Sequence, residues 1–243
     1  MAAPIGTEAL LEVRGVSKRF GALRALDGVS FDVRRGEMLG LIGPNGAGKT
    51  TLFECLAGVL PADAGEVRSQ GRVLEASERG DALFFLPDGI VPWGAQPVGR
   101  VLRFFAGLFV AEPGALARLS RLLSLEPYLP SLVEELSKGE RKRLLIALGL
   151  LSGKQVLLLD EPFDGLDLRQ AHEVESVLRE AARGGRTLFL SIHQLEDAAR
   201  VCERLVLLAD GRVVGEGTLA ELSAKAGVPP GPGALGEVFL ALT

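Results

Sequence analysis

The chain has 243 residues, a formal net charge of −4, 47% hydrophobic and 24% charged residues. That length suffices to bury a sizeable core in one large unit with an inserted lobe. The charge balance offers no global field for nucleic acid, so none is expected as a partner. The longest apolar stretches, such as residues 144–151, fall far short of the roughly 20 residues that span a bilayer, and no signal-peptide pattern is read at the start. The two cysteines, Cys55 and Cys202, lack metal-ligand spacing and a neighbouring His; they read as helical free thiols in a reducing cytosol.

In chain order, residues 10–16 and 29–33 alternate enough to be strands, and residues 65–74 read as a hairpin turned at Gln70-Gly71. Together they predict a small antiparallel sheet. Residues 39–42, 82–86, 156–159, 187–191 and 205–208 are nearly continuous in apolar residues, as strands of a parallel sheet covered on both faces are. Leucines and phenylalanines recur three and four apart through residues 98–151, which predicts a helical subdomain. A helix over 219–226, a Pro/Gly linker at 228–233 and a terminal helix to Leu242 complete the reading. The expected organisation is a single domain: core at about 10–87 and 154–217, helical subdomain at about 88–153, and C-terminal linker and helices at about 218–243.

Two constellations carry chemistry. Gly43-Pro44-Asn45-Gly46-Ala47-Gly48-Lys49-Thr50 fits the phosphate-cradling loop pattern at every required position, between an apolar strand and a helix that runs from Thr51 to Ala57 and stops at Gly58. Glycines let successive N–H groups converge on phosphates and the helix N-terminus adds positive charge. Lys49 then neutralises the outer phosphates of a nucleoside triphosphate and the Thr50 hydroxyl holds magnesium. Downstream, the buried strand Val156-Leu157-Leu158-Leu159 ends in Asp160-Glu161-Pro162. Two acids closing a buried strand need a cation: Asp160 reaches the magnesium shell and Glu161 polarises the attacking water.

The phosphate loop, Leu136-Ser137-Lys138-Gly139-Glu140, Asp160-Glu161-Pro162, Gly165-Leu166-Asp167 and Ser191-Ile192-His193, in this order, resemble the nucleotide-binding subunit of an ATP-binding cassette (ABC) transporter. The likeness is greatest to single-cassette subunits of bacterial exporter-type systems. It implies an α/β fold: a P-loop NTPase (RecA-like) core with a small antiparallel β subdomain and an inserted α-helical subdomain. It also implies an ATPase with ATP and Mg2+ as cofactors, working as a dimer with a second copy or a homologous cassette. An integral membrane permease is the further partner, and the expected location is peripheral, on the cytoplasmic face of the inner membrane.

The resemblance assigns Ser137 and Gly139 to the γ-phosphate of the partner's ATP, His193 to the γ-phosphate beside catalytic Glu161 and Lys49, Asp167 to the opposing subunit, and Phe20 to the adenine. From the residues alone, Ser137 with Glu140 is equally a capping box, Asp167 an N-cap for residues 168–179, and Phe20 a core side chain. Three departures stand out. Asp88 occupies the place of the usual Gln in the loop from core to lobe, still able to touch magnesium through water; Lys138 and Glu140 replace Gly and Gln; Phe163 replaces a small or polar residue. Trp93, Phe104, Phe105 and Phe109 either receive a permease helix or fill the lobe. Two other classes fit the same motifs: a soluble cassette protein acting on DNA or ribosomes, and a nucleotide-gated regulatory module with little turnover.

Overall fold

A computed structural model describes residues 9–229, 231 and 233–243. The chain opens with two long strands, β1 (Ala9–Phe20) and β2 (Leu23–Arg34), then a five-residue strand β3 (Met38–Ile42) that leads through the glycine-rich loop into helix α1 (Lys49–Ala57). The hairpin β4 (Ala64–Ser69) and β5 (Arg72–Val73), helix α2 (Ala76–Ala82) and strand β6 (Leu83–Leu86) follow. Helices α3 (Val98–Leu108), α4 (Ala115–Leu122) and α5 (Lys138–Leu151) make up the helical stretch. Then come β7 (Val156–Asp160), α6 (Leu168–Arg183), β8 (Thr187–Ser191), α7 (Leu195–Val201), β9 (Arg204–Ala209), β10 (Arg212–Gly217), α8 (Leu219–Ala226) and α9 (Ala234–Leu242).

The strands form two sheets. An antiparallel sheet of order β2-β1-β4-β5 stands beside a six-stranded sheet of order β10-β9-β3-β8-β7-β6. In the second sheet β9, β3, β8, β7 and β6 run parallel and β10 turns back antiparallel along β9. The parallel strands are apolar throughout because both faces are covered, and their alternate residues feed two separate cores. From β3, Met38 and Ile42 join α5, α6 and the helical lobe on one side, whereas Leu39 and Leu41 join α1 and the antiparallel sheet on the other. Phe53 of α1 packs on Phe189 of β8 with ring centroids 4.9 Å apart, which fastens the phosphate-loop helix to the sheet.

The expected antiparallel sheet, parallel strands and hairpin at Gln70-Gly71 are all present, the last with φ of 51° and 77°, as a two-residue primed turn requires. Several details differ from the sequence reading, among them helix α2, which was not expected. The first two strands run longer, α6 continues to Arg183, and Cys202 sits one residue past the end of α7. Strand β10 was not expected. In the 228–233 linker, Pro230 and Pro232 lie outside the described residues.

Candidate active site

The carboxyl ends of β3, β8 and β7 lie side by side, so the segments leaving them meet at one edge of the sheet. After β3 the chain enters the glycine loop under close backbone constraint. A Cβ on Gly43 would come 2.3 Å from the Leu208 carbonyl oxygen, and one on Gly48, at φ 102°, would come 2.5 Å from that of Ala25. The Gly211 N–H donates to the Ala47 carbonyl at 3.2 Å, bolting the loop to the β9–β10 turn. This geometry delivers the N-terminus of α1, with its partial positive charge, to an open cleft. The Lys49 side chain is buried and its ammonium donates to the carbonyls of Gly43 at 2.8 Å and Pro44 at 3.2 Å. Burial lowers the pKa of Lys49, with the charges of Glu161 and Asp160 acting in the opposite sense.

Asp160 ends β7 opposite Ser191 of β8, and its carboxylate is 5% exposed. One oxygen accepts from the Ser191 hydroxyl and the other from the Thr50 hydroxyl at 2.9 Å. A buried carboxylate and a hydroxyl side by side make an oxygen-only donor set, which suits a hard divalent cation such as Mg2+. Glu161 follows at φ 49°, in the left-handed region that few side chains adopt, and its N–H donates to the Ser191 hydroxyl at 2.9 Å. The turn is closed by the Asp164 N–H on the Glu161 carbonyl at 3.2 Å. Phe163, at the turn's underside, is buried in the core cluster shared with α5 and α6, which accounts for an aromatic residue at that place.

Two clefts open onto this edge. One, of about 450 Å³, is lined by Phe20, Leu23, Arg24, the loop residues Asn45 to Thr51 except Ala47, and Glu161. The other, of about 350 Å³, is lined by Asn45, Glu161, Asp164, Ser191, His193 and Asp197 among others. They share Asn45 and Glu161, which stand between them, so Phe20, the phosphate loop, Glu161 and His193 lie along one edge of the sheet. Phe20 is half exposed, with the Lys18 ammonium 5.7 Å from its ring centre, so it is not a core side chain. His193 is exposed just past β8. Ser137, Gly139 and Asp167 line neither cleft. Gly139 packs against the turn before α6: a Cβ on it would come 3.0 Å from the Gly165 carbonyl oxygen. Ser137 and Glu140 form the expected capping box on α5, and Asp167 with Gln170 another on α6.

Residues 26–164 match the ABC transporter family. The chain belongs to that family. It is 36% identical over 228 residues to the Nod factor export ATP-binding protein I of Ralstonia nicotianae, covering 90% of this chain and 70% of that protein. A similar match, 32% over 220 residues, links it to an uncharacterized ABC transporter ATP-binding protein of Methanocaldococcus jannaschii, with 88% and 80% covered. A solved ATP-binding subunit of an ABC transporter superposes with a TM-score of 0.86 at 31% identity, over 96% of this chain and 99% of that one. This ABC chain is thus an ATP-binding, ATP-hydrolysing transporter subunit, and the transporter reading stands above the soluble and regulatory ones. Subunits of this kind work as dimers with membrane permeases. No helix among its described residues is long and apolar enough to cross a membrane.

Several contacts of this ABC subunit were not read from its sequence. Asp88 is not gathered with Thr50 and Asp160; one carboxylate oxygen of each of Asp88, Glu161 and Asp164 lies within 4.8 Å of the others. Asp88 accepts from the buried Lys142 ammonium at 2.6 Å, a pairing across 54 residues that only the fold creates. Glu175, buried on α6, receives Arg179 of its own helix and Arg200 of α7, tying the helix after Asp167 to the one after His193. His172, on the same helix as Glu175, is largely exposed. Of the lobe aromatics, Trp93 and Phe104 are about half exposed and stack edge to face at 4.6 Å, while Phe105 and Phe109 are partly buried beneath them.

Proposed function

We propose that this subunit binds Mg-ATP along the two clefts between Phe20 and His193, hydrolyses it with Glu161, and powers export through a separate membrane permease. The observation that carries the reading is the meeting of the two clefts at Asn45 and Glu161, which sets the acid beside the phosphate loop. Phe20 offers a half-exposed ring for the adenine. The loop amides from Gly43 to Thr51 receive the phosphates, Pro44, Asn45, Gly46, Ala47 and Gly48 shaping the curl and Lys49 leaving its two carbonyls for the outer phosphates. Thr50 and Asp160 would hold magnesium, which would supply neutralising charge to the phosphate oxygens, while Asp88 is engaged by Lys142. Glu161, whose carboxylate has no hydrogen-bond or ion-pair partner among the described residues, orients water and takes its proton; His193 steadies the γ-phosphate.

Ser137, Gly139 and Asp167 line neither cleft of their own chain, which supports a second copy, or a homologous cassette, that receives them on its own ATP. The exposed Trp93 and Phe104 offer the permease an apolar foothold at the entry to the lobe. Export is favoured because the Ralstonia relative is named as an export protein. The subunit then works on the cytoplasmic face of the inner membrane. The deciding measurement is ATPase activity of the wild type against Glu161→Gln. A drop of about 100-fold or more is expected, with the variant dimerising in Mg-ATP by light scattering. Equal, near-zero rates in both would remove the catalytic reading, and a variant that stays monomeric with its permease present would remove the shared site.

A further inference from the structure

Two lysines stand four residues apart on α5, Lys138 and Lys142, and that spacing places them on one face of the helix. Each reaches a different acid of the cluster around Glu161. The Lys142 ammonium, on a residue only 5% exposed, donates to Asp88 at 2.6 Å and to the backbone carbonyl of Asp160 at 3.3 Å. Lys138 pairs with Asp164, and its aliphatic stem lies over Gly165, where a Cβ would come 2.8 Å from it. Asp88 sits where the chain passes from β6 to the lobe, and Asp164 in the turn after β7. The helix is therefore pinned to the two loops on either side of the catalytic carboxylate.

Burial alone would push the Asp88 carboxyl up, but the hydrogen bond and charge of Lys142, aided by the charge of Lys138, hold it below the usual carboxylate range. The bond to Asp164, then the charges of Asp88 and Glu161, raise the pKa of Lys138.

We propose that Lys138 and Lys142 form a two-point clamp, through Asp164 and Asp88, that registers α5 and its Ser137–Gly139 segment against the catalytic turn and leaves Glu161 the single unpaired acid of the three. The two points differ in strength. Lys138 and Asp164 are about half exposed, so their pair is weak and screened by salt. Lys142 is enclosed, and parting it from Asp88 would leave a buried ammonium with one carbonyl for company. Any rotation of the lobe against the core must break that contact or carry Asp88 along. Both lysines are positioning residues, and the proposal rests on the ATPase reading only for the role of Glu161.

The test uses ATPase kinetics and the one tryptophan of the chain, Trp93, five residues beyond Asp88. In Lys142→Met, kcat should fall about tenfold while KM for ATP stays within about twofold, and Lys142→Arg should restore most of the rate. In the absence of nucleotide, acrylamide quenching of Trp93 should rise in Lys142→Met, rise equally in Asp88→Asn, and rise no further in the double variant. The charge-swapped Asp88→Lys/Lys142→Asp pair should return it toward the wild type. Wild-type kcat and quenching in Lys142→Met, or quenching effects that simply add, would overturn the clamp. If Lys142→Met does not fold, Asp88→Asn carries both measurements. A wild type without ATPase activity would count against the enzyme reading, while the quenching series would still decide the clamp.

Discussion

The phosphate loop and the Ser137–Gly139 segment each stand at a helix N-terminus, yet they are held in opposite ways. The phosphate loop is fixed by backbone: Gly43 against the Leu208 carbonyl, Gly48 against that of Ala25, and Ala47 under the Gly211 N–H. The Ser137–Gly139 segment is fixed by side chains: the Ser137–Glu140 capping box, Lys138 on Asp164 and Lys142 on Asp88. A backbone-held anion site is already shaped before its ligand arrives and depends little on salt or pH. A side-chain-held one can shift with a few ion pairs and caps, which suits the neighbour-contacting role proposed for it. The first region is therefore sensitive to added volume and the second to altered charge.

The largest effect should come from Gly43→Ala. Its Cβ would have to displace a strand carbonyl rather than a flexible side chain, at an overpacking cost of about 1–3 kcal/mol. The loop cannot yield without moving its amides, and displacements of that size cost on the order of 100-fold in rate. ATPase assays and thermal melts check both numbers. Full activity in a stably folded Gly43→Ala protein would contradict the view that close backbone approach shapes this loop.

The same contrast explains what the sequence disclosed. The phosphate loop, the Asp160-Glu161 pair and the strands that carry them were legible because their chemistry lies in contiguous residues and in continuous apolar runs, which only a doubly covered sheet requires. Helix α2 was not, since it buries no residue and so leaves no periodic apolar face to read. Strand β10 carried a usable signal that went unread: Asp210-Gly211, with φ of 46° and 74°, is a two-residue hairpin turn between β9 and β10. The Lys142–Asp88 contact had no local signal at all. Lys142 sits in a helix whose polar and apolar residues mix because it is covered on several sides, and nothing in its neighbours names a partner 54 residues away.

Ser137→Ala comes next in size and separates the two regions directly. Losing the hydroxyl that accepts from the Glu140 N–H should cost about 1 kcal/mol of stability. Nucleotide affinity of the isolated chain should hold, because Ser137 lines neither cleft around the phosphate loop. Turnover should fall if the segment completes a neighbour's site. Equilibrium binding of a fluorescent ATP analogue beside steady-state ATPase rates distinguishes these. A matched loss of affinity in the monomer would mean that the two helix N-termini serve one pocket within a single chain.

Glu140→Gln should have the smallest effect, and its size depends on pH. The Glu140 carboxylate accepts from the Ser137 N–H at 2.8 Å, and a Gln can reach back in the same way. Burial alone would push the Glu140 carboxyl up; the hydrogen bond from the Ser137 amide, with the neighbouring Tyr128 and Ser137 hydroxyls and the charge of Arg143, outweighs it and holds the pKa below 4.5, its ordinary value. A lowered folded-state pKa contributes stability that is present above 4.5 and fades as pH falls through the folded value. The carboxylate also sits in the first turn of α5, where negative charge meets the helix dipole favourably. At pH 7 the variant should therefore be less stable by about 0.5 kcal/mol or less, given how open the site is to solvent. The gap should close as urea melts are repeated at pH values descending below 4.5. A gap that instead widens in acid would mean that the glutamate strains the segment rather than holding it, and that the side-chain-held half of the site is kept in place chiefly by its lysines.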